Sequence, residues 1–155
     1  MKPLWVFLIA FSLTLYGNGA GFMESFVNYP SWHLIGESEF TAFHQFITPK
    51  VVTFLVAPRL LGTLFTILML WLRPTTIPLW AVWVALALQA PVWIATVVIQ
   101  APIQLELSDQ GLSLPLIERL IESDFWFRRA PYAACVGMFI WMAARTFRNG
   151  QPRVA

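Results

Sequence analysis

Residues 77–102 read IPLWAVWVALALQAPVWIATVVIQAP and carry no charged side chain. A run of that length exceeds the roughly 20 apolar residues an α-helix needs to cross a bilayer core. Lipid offers no hydrogen bonds to exposed peptide groups, so the run predicts a membrane-spanning helix. Working outward from it, residues 51–72 read the same way, interrupted by Pro58 and Arg59, and so do residues 4–29, which end in a glycine-rich stretch and Pro30. Residues 125–146 form the last apolar segment. The chain is therefore predicted to be an all-α polytopic membrane protein, a four-transmembrane-helix bundle forming a single domain over residues 1–155. Between the spans, residues 37–48 place Phe40, Phe43, His44 and Ile47 on one helical face, and residues 115–123 do so with Ile117, Leu120 and Ile121. Both segments are too short to span, so two short amphipathic interfacial helices are expected on the outer face, covering the mouth of the bundle as a lid.

Composition supports a lipid solvent. The chain is 58% hydrophobic and 12% charged, with a mean hydropathy of +0.66, outside the range of soluble domains. A pI near 9.0 would suit nucleic acid, but the ten lysines and arginines are scattered and form no stripe interleaved with stacking aromatics, so no nucleic-acid partner is expected. Cys135 is the single cysteine, which excludes an internal disulfide, a CxxC redox pair and a thiolate metal cluster. Lys2 followed by an apolar run also fits a signal peptide. Against that reading, Asn18 stands where a cleavage site needs a small residue, and apolar character resumes at Phe22 and Met23.

Charge sets the expected orientation. Lys2, Arg73, Arg145, Arg148 and Arg153 fall on the side that holds both termini, which has no acidic residue. All eight acids (Glu24, Glu37, Glu39, Glu106, Asp109, Glu118, Glu122 and Asp124) fall on the other. Lys50, Arg59, Arg119, Arg128 and Arg129 also lie toward that side, but three of them fall inside helices. The positive-inside rule then puts both termini in the cytoplasm, in a bacterial inner membrane. Trp5, Trp71, Trp80 and Trp141 near one boundary, and Trp32 and Trp126 near the other, read as interfacial anchors.

Function should reside in polar groups at membrane depth, because each is costly there unless partnered. At about 1.5 Å per residue, Asn18, Arg59, Gln89 and Arg129 fall in one layer, with Glu24 above it. Gly17, Gly21, Glu24 and Asn28 share one face of the first span, where the GxxxG pair permits close helix approach. The candidate site is Glu24, Asn28, His33, His44, Arg59, Gln100, Arg128 and Arg129, centred on Arg59 with Glu24 as its expected carboxylate partner. The plainer reading makes the glycines packing residues, the glutamines interhelical ties, and Arg128 and Arg129 snorkelling side chains or companions of Asp124. His33 and His44 lack further ligands at metal spacing, so no metal site is expected and no cofactor is assigned.

The succession NYPSWHLIGESEFTAFH, APR, QAPIQLEL and LIERLIESDFWFRR resembles a group of small uncharacterised bacterial four-helix membrane proteins. That group is distantly similar to the domain-of-unknown-function family that includes the fungal anthrone oxygenases. The resemblance covers about residues 22–144 and implies the four-helix fold. Where its members read like NWIRT, this chain has SDFWFRR, so an Asn and a Thr of that motif are missing. The expected role is that of an accessory or structural subunit, or a lipid-binding protein, with membrane lipid and a larger membrane complex or a homo-oligomer as partners. The alternatives are an oxygenase-like enzyme acting on an apolar aromatic substrate, which the resemblance implies, and a transporter or channel component.

Overall fold

The computed structural model describes residues 4–150, with side chains described through Arg148; Lys2 and Arg153 of the charge count lie outside them. Four long helices pack as a bundle: α1 (Leu4–Leu34), α2 (Glu37–Leu72), α3 (Leu79–Gln110) and α4 (Leu114–Gly150). The first three are long and apolar enough to cross a membrane. In α2 and α3 only 22% of the apolar window is buried inside the bundle, so most of its large side chains face outward. The fourth helix does not reach that standard, because Arg128 and Arg129 at one end and Arg145 and Arg148 at the other leave an uncharged stretch shorter than the roughly 20 residues a span requires.

The two amphipathic segments are helical but are not separate interfacial helices. Glu37–Val51 continues without a break into the rest of α2, and Leu114–Asp124 continues into α4. Their apolar faces close a second core. Phe40 of α2 and Ile117 and Leu120 of α4 pack with Tyr29 and Trp32 of α1 and Ile103 and Leu107 of α3. The main core lies toward the other end, around Val6, Phe7, Ala10, Met69, Ala81, Ala85, Phe139 and Met142. Small residues matter in it because helices in lipid gain from close packing rather than from water exclusion. A Cβ at Gly62 would sit 3.3 Å from the Leu13 carbonyl carbon and the Thr14 nitrogen, so α1 and α2 meet backbone to backbone.

Between the two cores each helix carries one five-residue π turn: Glu24–Asn28, Val52–Val56, Thr96–Gln100 and Phe125–Arg129. Each turn is followed after one residue by proline, in the recurring frames ESFVNYP, VTFLVAP, TVVIQAP and FWFRRAP. The residue before the proline donates its N–H five residues back: Tyr29 to Glu24, Ala57 to Val52, Ala101 to Thr96 and Ala130 to Phe125. A proline ring in a regular α-helix collides with the carbonyl four residues earlier and offers no N–H. Widening that turn by one residue relieves the collision. Pro49 and Pro91 sit in ordinary α-helical turns, so proline alone does not dictate the widening.

The connections are short. Arg73 closes the end of α2 with bonds from Nε to the Ile77 carbonyl (3.0 Å) and from Nη1 to the Leu70 carbonyl (3.0 Å). Gly111 links α3 to α4 at φ 83°, a backbone region that costs a side-chain-bearing residue free energy.

Candidate functional site

The π turns bring a belt of polar side chains into the bundle, and a cavity of about 290 Å³ opens beside it between α2 and α3. Its walls come from Ile47, Val51, Val52, Leu55 and Val56 of α2 and from Trp93, Ala101 and Leu105 of α3. Glu24, Tyr29, Arg59, Gln100 and Arg128 line its polar part. Regular α-helical parts of α2 and α3 touch below and above this level. Val52, Ala101 and Leu105 are exposed, so the cavity opens sideways through the outer surface of the bundle.

The belt is a connected network with one buried acid. Asp124 is wholly buried and lies 3.2 Å from Arg128 Nη1 and 3.1 Å from Arg129 Nε. The first of these contacts is an ion pair outside hydrogen-bond geometry, since Asp124 Oδ1 has no hydrogen-bond partner. Arg128 also donates from Nε to the Tyr132 hydroxyl (2.7 Å), and from Nη1 to the Tyr29 hydroxyl (3.1 Å) and to Gln100 Oε1. Arg129 reaches the Ser25 carbonyl (2.9 Å) and covers the Phe26 ring at 4.5 Å.

Arg59 does not pair with Glu24. Both line the cavity, but no ion pair joins them among the described residues. Arg59 instead donates from Nη1 to the Tyr132 hydroxyl (2.5 Å) and from Nη2 to the Gly17 carbonyl, with its guanidinium 4.4 Å from the Tyr132 ring centre. The glycine face of α1 explains the geometry. A Cβ on Gly21 would lie 2.5 Å from both Arg59 Nη2 and Tyr132 Cε2, so that glycine makes room for the arginine and the ring. Glu24 stays on its own helix, accepting from Asn28 Nδ2 at 2.7 Å, while Asn28 Oδ1 accepts from Trp32 Nε1 at 3.2 Å.

Of the residues expected at the site, Glu24, Arg59, Gln100 and Arg128 meet in one cavity. Asn28 backs Glu24, and Arg129 is tied to Asp124 behind the wall. His44 is buried above the cavity, with Nε2 at 2.7 Å from Gln104 Oε1 and Nδ1 at 3.0 Å from Ser108 Oγ. An amide oxygen only accepts, so Nε2 carries the proton. Stacked on Phe40 and set edge-on against Trp32, this ring ties α2 to α3. His33 is exposed and belongs to none of this, and among the described residues no three His, Cys, Asp or Glu side chains gather as metal ligands. Gln89 is an interhelical tie, as the plainer reading held: its Oε1 accepts from Thr63 Oγ1 (2.7 Å), which in turn accepts from Trp93 Nε1 (3.0 Å).

Tyr29, Tyr132 and Asp124 are functional-layer residues that sequence reading did not select. One signal existed for two of them: Asp124 and Tyr132 flank Arg128 at four residues on either side, so all three share a helix face. Comparison with protein-family models, with curated proteins and with solved structures gives no match.

Proposed function

We propose that this protein is a four-span integral membrane bundle that takes up a molecule with an apolar body from the bilayer into the cavity between α2 and α3. The observation that carries the reading is the cavity. At about 290 Å³ it lies at the small end of ligand pockets, and its surface is mostly apolar, with Glu24, Arg59 and Arg128 as its charged lining. Its exposed rim residues lie on helices whose outward faces are themselves apolar, so a ligand dissolved in lipid reaches it without crossing water. The fourth span rests on the packing of α4 against α1 and α3, with Arg128 buried and Arg129 tied to Asp124 rather than left to lipid.

Ala101→Trp tests the reading. Ala101 is exposed at the rim, so an indole there plugs the opening without entering a core. Protein purified in mild detergent should carry a lipophile enriched over the bulk membrane extract, detected by mass spectrometry, and the variant should lose it while melting at the same temperature. Identical extracts from both proteins would remove the ligand-binding reading and leave a purely structural subunit.

A further inference from the structure

We infer that the cavity's ligand carries one negative charge, a carboxylate on an apolar tail, held by Arg59 and Gln100. The inference rests on the ligand-binding reading and adds the chemistry of the head group.

Charge balance comes first. The belt holds three arginines, Arg59, Arg128 and Arg129, against two carboxylates, Glu24 and Asp124. Asp124 serves Arg128 and Arg129 together. Arg59 is 8% exposed, and its partners are a hydroxyl, a carbonyl and a ring face, all neutral. A cation held this way, away from water, lacks the counter-charge that buried ions ordinarily have. The belt is thus one negative charge short. A monoanion closes that count, whereas a dianionic phosphate would overshoot it.

Hydrogen-bond capacity points the same way. Gln100 is 3% exposed and lines the cavity, and its Oε1 is engaged by Arg128 and Tyr29, both donors. That fixes the amide's orientation and leaves Nε2, which has no partner, as its free end. Arg59 Nε is likewise without a partner. Arg59 and Gln100 therefore line one cavity from facing helices, each with an unpartnered donor atom that neighbouring side chains cover and that a turn of the side chain presents to a head group. A carboxylate has two oxygens that only accept, so one head group can serve both. Glu24 faces the same space and sets the selectivity: it tolerates a single anionic head seated on Arg59 and repels a second. The aliphatic walls of Val51, Val52 and Leu55 then receive the first part of the tail, and the sideways opening lets the remainder lie in the bilayer.

The experiment uses the full chain in nanodiscs of neutral phosphatidylcholine, titrated with oleate, methyl oleate and phosphatidylglycerol, with bound ligand counted by native mass spectrometry. Oleate should bind at least about tenfold more tightly than its methyl ester, the share of one charge-assisted contact. Gln100→Leu should reduce that preference several-fold in a protein that still folds but melts some degrees lower, because Arg128 and Tyr29 lose an acceptor, and Arg59→Gln should abolish the preference. Should Arg59→Gln fail to fold, Gln100→Leu alone decides. Equal binding of oleate and methyl oleate, or an unchanged preference in Gln100→Leu, overturns the charge inference and leaves the cavity reading standing. A preference for phosphatidylglycerol over oleate overturns the carboxylate assignment. No binding of any probe, together with no co-purifying lipophile, overturns both.

Discussion

Replacing Asp124 by Asn keeps the side chain's shape and removes the one negative charge that serves two arginines. The carboxylate is wholly buried and lies within 3.2 Å of both guanidinium groups, and Arg128 is itself only 4% exposed. Removing one partner of a buried ion pair leaves the other charge uncompensated and costs about 3–5 kcal/mol. Here Arg128 keeps its neutral acceptors on Tyr29, Tyr132 and Gln100, which holds the cost within that range rather than above it. For a chain of this length each kcal/mol shifts the melting temperature by about 2–4 °C, so Asp124→Asn should melt on the order of 10 °C below wild type. Intrinsic tryptophan fluorescence during a thermal ramp in detergent micelles measures it. Glu122→Gln is the control, an exposed acid two residues away whose loss should stay within about 0.5 kcal/mol. A variant melting within about 2 °C of wild type would refute the claim that the belt depends on this carboxylate.

Two further outcomes are expected. Gly21→Ala should lower the melting temperature by several degrees, because its methyl group would displace the Tyr132 ring and the Arg59 guanidinium, whereas Gly19→Ala, with nothing within 4 Å of the new carbon, should leave it unchanged or slightly raised. For topology, cytoplasmic reporters fused after Ala155 and at Thr75 should be active and one at Asp109 inactive; activity at Asp109 would reverse the orientation drawn from the one-sided acids.

Much of the architecture was legible because length and hydropathy dominate in lipid: the uncharged run at 77–102 alone demands a long helix. The amphipathic segments were legible as helices but not as continuations of the spans. Pro49 reads as the start of a new helix, since proline suits a first turn, yet it lies inside a helix that begins at Glu37. The polar layer was visible as depth, yet the partners within it were not. Arg59 reads as a cation in want of an acid, and Glu24 is an acid on the glycine face at a suitable height. Sequence spacing along one helix says nothing of how far a neighbouring helix is rotated, and that rotation hands Arg59 to Tyr132. The recurrence of proline after the four π turns was written in the chain at residues 30, 58, 102 and 131. Pro49 and Pro91 obscured it, since nothing local separates a proline that widens a turn from one that does not.

Each widened turn takes in one residue more than its rise requires, so the chain is longer at these four places than the distance it covers. A regular α-helical stretch one residue shorter sweeps nearly the same angle, so deleting one residue within Val52–Val56 would close the wide turn and leave Phe40 and His44 facing Trp32, Gln104 and Ser108. Deleting one residue from a regular part of α2 instead would rotate one half of the helix by about 100° against the other and pull the roof off the cavity. The four widened turns are thus the places where the chain can change its length by one residue while the roof keeps its register.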